Sequence, residues 1–190
     1  MSSSRSETCL LIIDMINPFT FPDAEELLPA AFQAATRIAQ LKDRATMAGI
    51  PTIYVNDNFG KWQHDFRYLV AHCLQTSGNR RSIVEVLHPH EEDYFILKPK
   101  HSAFFATPLE LLLRSLEARR LILTGIAGNN CVHYTAADAY MRDFILCVPE
   151  DCTASLDASS NQLALEHMKS TFKVDTRPSP SLHFSQASQP

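Results

Sequence analysis

No basic stripe, no membrane-length apolar run and no CxxC pair occur in this chain of 190 residues. Each absence removes a class of function. Lys and Arg number 17 against 21 acidic residues, a formal net charge of -4. The positive surface that draws a protein to nucleic acid or to an anionic membrane is therefore missing. The opening residues, Met1-Ser2-Ser3-Ser4-Arg5-Ser6-Glu7, hold no apolar signal core, and no run approaches the roughly 20 residues that cross a bilayer. The expected compartment is the cytoplasm. The cysteines, Cys9, Cys73, Cys131, Cys147 and Cys152, are odd in number, which argues against a disulfide framework and against a structural zinc site. Neither an internal repeat nor a second domain is visible. We expect a single domain over residues 1–190, with its core at 8–175 and a flexible tail rich in Ser and Pro at 176–190.

What the chain does contain is an alternation of apolar strands and helical stretches. Thr8-Cys9-Leu10-Leu11-Ile12-Ile13 is a continuous apolar run that stops at Asp14, the pattern of a strand buried on both faces. Further strands are expected at 51–55, 94–97, 121–124 and 144–148, with a short sixth at 172–175. Helices are expected at 25–48, around 66–74, from Pro108 to Leu116, at 131–142 and at 157–171. Thr107-Pro108-Leu109-Glu110 joins a capping box to a proline at the first helical position. The loop charges Arg80-Arg81 and Glu91-Glu92-Asp93 read as solvated. The alternation predicts an α/β fold: a mostly parallel, doubly wound sheet of about six strands with helices on both faces.

Two of the five glycines fall in one turn, Gly125-Ile126-Ala127-Gly128-Asn129-Asn130-Cys131. It joins an apolar strand to a helix. A thiol there meets the positive end of the helix and free backbone N–H groups, which favour thiolate and can hold an oxyanion. Asp14 and Lys98 also follow strands. In an open parallel sheet all strand C-termini lie along one edge, where ligands bind, so Asp14, Lys98 and Cys131 are expected to converge. Singly, each has an ordinary reading as a turn residue, a solvated lysine and a small buried hydrophobe. Lys100 is the competing lysine.

Three blocks carry a resemblance to the isochorismatase-like cysteine hydrolases: Leu11-Ile12-Ile13-Asp14-Met15-Ile16-Asn17-Pro18-Phe19, Leu97-Lys98-Pro99-Lys100-His101-Ser102-Ala103-Phe104, and Thr124 to Val132 around Cys131. The likeness spans roughly residues 8–175. It implies a three-layer α/β/α fold and a catalytic Asp14-Lys98-Cys131 triad. Lys98 is preferred over Lys100 because three residues separate it from Ser102, the family spacing. Asp14 would carry the proton, Lys98 would supply the neighbouring cation, and Cys131 would attack a carbonyl to form a thioester. The resemblance also implies a cis peptide at Ile126-Ala127, with the Ala127 and Cys131 N–H groups as the oxyanion hole. A small-molecule substrate, no cofactor and a homo-oligomeric assembly complete what it implies.

Departures from the family pattern leave the substrate open. Ile16 stands where amidases of the family often have Gln, and Gly128-Asn129 where they often have Thr-Asp. Asp57-Asn58-Phe59 lacks the His of the metal-binding Asp-x-His run of nicotinamidases, and His64 is wrongly spaced, so no metal is expected. Phe19, Phe59 and Trp62 are candidates to line a substrate pocket, with ordinary packing as the even alternative. The expected reaction is metal-independent cleavage of a small amide, carbamoyl or ureido C–N bond. Ether or ester hydrolysis of the isochorismatase type, and a non-catalytic small-ligand binding protein, are the alternatives.

Overall fold

The computed structural model describes residues 6–184. Strands β1 (Thr8–Ile13), β2 (Thr52–Asp57), β3 (Tyr94–Lys98), β4 (Arg120–Ile126) and β5 (Ile145–Cys147) form one parallel sheet in the order β3-β2-β1-β4-β5, and β6 (Thr153–Ala154) pairs with β4. β1 is central, and the strand order reverses beside it. That switch opens a crevice at the C-terminal edge.

The continuous apolar run of β1 is split by the pleat between two cores. Leu10 and Ile12 face α1 (Ala24–Met47), α2 (Phe66–Leu74) and α3 (Gly78–Val86). Cys9, Leu11 and Ile13 face α4 (Leu109–Ser115), α5 (His133–Tyr140) and α6 (Ala158–Thr171). Helices thus cover both faces and give three layers. Among the described residues no helix is long and apolar enough to cross a membrane.

Several elements differ from the sequence pattern. Residues 172–175 form no strand; Asp175 makes one isolated bridge to Cys147, and the sixth strand is Thr153–Ala154. Two residues leave no room for the alternation that pattern reading needs. α3 lies where an irregular loop gives way to charges; Ile83 and Val84 pack it onto α1 and α2. Thr107 does not close a capping box. Its Oγ1 accepts from Leu109 N–H at 3.2 Å, while Glu110 pairs with Arg114 and Arg142.

The tail from 176 to 184 is docked rather than loose. Arg44 donates to the carbonyls of Ser179 and Leu182 at 2.7 and 2.9 Å, and Asp151 accepts from Ser179 N–H and Oγ, both at 2.7 Å. The rest of the expected flexible tail, 185–190, lies outside the described residues. Asp93 is not a solvated loop charge either. It sits 2.6 Å from Lys42 Nζ, which also reaches Tyr54 Oη at 3.1 Å, in a buried network tying α1 to β2 and β3.

Candidate active site

Each of Asp14, Lys98 and Cys131 lies at a strand's C-terminal end. Asp14 follows β1 directly and adopts φ 54°, with its N–H donating to Val55 O at 2.8 Å. Its Oδ1 accepts from Asp57 N–H at 2.8 Å, across the β1–β2 gap. Lys98 is the last residue of β3, in register with Asp57, and is fully buried. It reaches past β2, placing Nζ 2.8 Å from Asp14 Oδ2 and 3.5 Å from Cys131 Sγ. Lys100, two residues on, is exposed.

Cys131 does not open α5. It stands inside a π-helical turn, Gly128–Val132, that runs on into α5 at His133. It is also the one cysteine of the five that is not buried. The Ile126–Ala127 peptide is cis, and the Ala127 carbonyl accepts from the N–H groups of Asn130 and Val132.

The electrostatics differ from the expectation of a resting thiolate. Burial, followed by the Asp14 carboxylate, pushes the Cys131 thiol up to about 12, against the opposing pull of Lys98. The negative neighbour and desolvation together outweigh the cation. Burial likewise raises Asp14, opposed by Lys98 and by a hydrogen bond from the thiol. Lys98 is raised: burial alone would lower it, but Asp14 and Cys131 more than compensate. The resting site therefore holds a protonated thiol against a carboxylate–ammonium pair, and Asp14 is a stronger proton acceptor than an ordinary aspartate.

A further layer fixes the two reactive loops to each other. Thr135 Oγ1 donates to Cys131 O at 2.7 Å and accepts from Ala103 N–H at 3.0 Å, while Ser102 Oγ donates to Asp138. Asn56 Nδ2 donates to Ile16 O at 2.9 Å, anchoring the loop after Asp14. The glycines of the nucleophile turn are required by close approach. Gly125 has φ 115°, and a Cβ there would collide with the Ile13 carbonyl; at Gly128 it would strike Asn161.

The three aromatic candidates separate. Phe19 is fully buried in the core beside Phe21, so its ring packs and does not line an open wall. Phe59 lines a cavity of about 170 Å³ with Pro18, Asn58, His64 and Tyr68, next to the Asp57 end of β2. Trp62 is 76% exposed on the same loop. Among the described residues no group of three or more His, Cys, Asp or Glu is placed to hold a metal ion. One site neighbour escapes sequence reading. His101 is exposed, and its Nδ1 lies 3.8 Å from Cys131 Sγ. Its position in the Lys98 block was the available signal, but a histidine in a loop has no pattern of its own.

Residues 8–177 match the isochorismatase domain. The chain belongs to the isochorismatase family. It is 42% identical over 166 residues to the isochorismatase family protein YaaI of Bacillus subtilis, covering 87% of this chain and 91% of that protein. It is 40% identical over 105 residues to the ureidoacrylate amidohydrolase RutB of Klebsiella pneumoniae, 55% of this chain and 44% of that protein. The fold matches N-carbamoylsarcosine amidase from Thermoplasma acidophilum with a TM-score of 0.72 at 22% identity, over 94% of this chain and 99% of that one. The nicotinamidase SaPncA from Staphylococcus aureus matches with 0.71 at 20% identity, over 90% and 99%.

Proposed function

We propose that this protein is a metal-independent cysteine hydrolase that cleaves a small amide, carbamoyl or ureido C–N bond through a thioester on Cys131. The observation that carries this reading is the contact of Lys98 Nζ with both Asp14 Oδ2, at 2.8 Å, and Cys131 Sγ, at 3.5 Å. Similarity to an amidohydrolase, and a fold shared with two amidases, support the choice of bond.

The chemistry follows from the resting protonation. Because the thiol is pushed up to about 12, it is not a standing thiolate. Asp14 takes its proton as Sγ attacks the carbonyl carbon, and Lys98 balances the charge that develops. The Ala127 and Cys131 N–H groups are the proposed donors to the oxyanion. Collapse breaks the C–N bond, and the proton on Asp14 passes to the leaving nitrogen. Water then hydrolyses the thioester.

The test is an amide, carbamoyl and ureido library screened for ammonia release. Turnover of a member by the wild type and its loss in Cys131→Ala support the reading. Undiminished turnover of that member in Cys131→Ala removes the thioester.

A further inference from the structure

The loop that leaves β1 passes through the left-handed region at two residues that are not glycine. Asp14 has φ 54° and Phe19 has φ 50°. A residue with a Cβ is strained there and keeps such an angle only where its surroundings fix it. Between the two, the Ile16 carbonyl accepts from Asn56 Nδ2 at 2.9 Å, and Phe19 N–H donates to Asn17 Oδ1 at 2.7 Å.

The end of β2 grips this loop through Val55, Asn56 and Asp57. Val55 O accepts from Asp14 N–H, Asn56 Nδ2 holds Ile16 O, and Asp57 N–H donates to Asp14 Oδ1. The outer two contacts use backbone groups that almost any residue supplies. Only the middle one depends on a side chain. Asn56 is fully buried, on the face of β2 that carries Tyr54 into the core shared with α1, α2 and α3. An apolar side chain would suit that place better, because the amide is desolvated and its Oδ1 accepts from no described residue. What the asparagine supplies is one donor, spent on the loop that carries Asp14.

We propose that Asn56 is a positioning residue that keeps Asp14 in its left-handed conformation, and so keeps its carboxylate against Lys98 and Cys131; this rests on the role given to Asp14 above. Without the bond to Ile16 O, the segment after Asp14 can rotate, and residue 14 can return to an ordinary negative φ. Its Cα–Cβ direction then changes, and Oδ2 leaves the position 2.8 Å from Lys98 Nζ. The displaced carboxylate can no longer take the thiol proton. It also stops opposing ionisation of Cys131, as it does in the intact site.

The experiment measures iodoacetamide labelling of Cys131 from pH 7 to 10 in the wild type, Asn56→Leu, Asp14→Asn and the double variant. Leucine keeps the size of asparagine and lacks the donor. Asn56→Leu should label about threefold faster or more, in the direction of Asp14→Asn, because the anion facing the thiol has moved away. In the Asp14→Asn background no carboxylate is left to misplace, and Asn56→Leu should change the rate by less than about 1.5-fold. Circular dichroism checks the fold. Asn56→Ser, whose hydroxyl falls one bond short of Ile16 O, carries the same comparison if the leucine variant does not fold. An unchanged or slower rate in the folded Asn56 variant would overturn the inference. So would an equal gain in both backgrounds, which is what a loosened turn with a more accessible thiol produces. Failure of both Asn56 variants to fold would make the bond a purely structural one and overturn it as well. If Asp14→Asn itself leaves labelling unchanged, Asp14 does not act on Cys131, and the triad reading falls before this inference does.

Discussion

Asp14 and Lys98 form an ion pair of 2.8 Å with both side chains withdrawn from solvent, and Cys131 is the third body in their field. Burial of such a pair is expensive, and the mutual attraction only roughly offsets the desolvation of two ions. Its persistence at a sheet edge beside an accessible thiol is therefore better explained by chemistry than by stability. The pair also sets the thiol's state. The carboxylate opposes ionisation of Cys131 and the ammonium favours it, and burial tips the balance toward the protonated form. The cysteine is marked out from its four buried relatives by access, not by acidity.

Cys131→Ala and Cys131→Ser should both abolish hydrolysis of an amide substrate. Neither should unfold the chain, since the side chain sits in a half-exposed turn. Serine keeps an oxygen nucleophile in place, but with Asp14 already shared between Lys98 and Asp57 N–H, a still less acidic hydroxyl is poorly activated. Steady-state assays with circular dichroism on both variants decide it. Activity near wild type in either would favour a reaction, such as ether cleavage, that leaves the cysteine unused.

Turnover should survive exhaustive chelation. Asp57, His64, Asp65 and His72 line one cavity, but among the described residues no group of three or more His, Cys, Asp or Glu is placed to hold a metal ion. Activity after dialysis against a strong chelator, with metal content measured in parallel, checks this. Loss on chelation with recovery on adding back one metal would contradict it.

The layers and the edge were legible because long signals specify them. β1 is six residues of uninterrupted apolar sequence and α1 is 24 residues of helical spacing. Asp14, Lys98 and Cys131 were readable because each ends or follows such a strand. What was not legible depends on contacts between distant segments. β6 has two residues, and its pairing is decided by β4. Asp93 looks like its neighbours Glu91 and Glu92 until Lys42, fifty-one positions away, is placed against it. The protonated state of Cys131 comes from its own burial and from the Asp14 carboxylate beside it, against the pull of Lys98, and sequence does not supply the burial. The stacking of His101 on Tyr134 likewise requires the segment after β3 and helix α5 to be folded together before it exists.

Asp93→Ala should destabilise the fold by about 3–5 kcal/mol, because it leaves Lys42 buried and uncompensated. The side chains are only 5% and 9% exposed, so screening by water is weak. Replacing both partners, as Lys42→Met with Asp93→Ala, should recover part of the loss. Urea denaturation of the two variants measures it. A change below about 1 kcal/mol in Asp93→Ala would place the pair among solvated surface bridges.

Thiol labelling should separate the roles of the three charged residues. In the wild type the Cys131 thiol is pushed up to about 12, so only a minute fraction is thiolate at neutral pH. Iodoacetamide labelling at Cys131 should therefore be slow at pH 7 and should rise about tenfold for each pH unit across the alkaline range. Lys98→Met removes the cation that favours ionisation. Its thiol should move further up, and labelling at any fixed pH should slow. Asp14→Asn removes the anion that opposes ionisation. Its thiol should move down and label faster, although hydrolysis falls by about 10²–10⁴-fold for want of a proton carrier. The two variants thus shift reactivity in opposite directions while both lose turnover, a pattern that simple misfolding does not produce. Lys100→Met is the control; the residue is exposed and should alter neither quantity. Labelling rates from pH 7 to 10, read by peptide mass at Cys131, test all three. If Lys100→Met slows labelling and Lys98→Met does not, the lysine beside the sulfur has been misassigned by two positions. If neither Asp14→Asn nor Lys98→Met changes the rate, the carboxylate and ammonium do not act on Cys131, and the triad is lost.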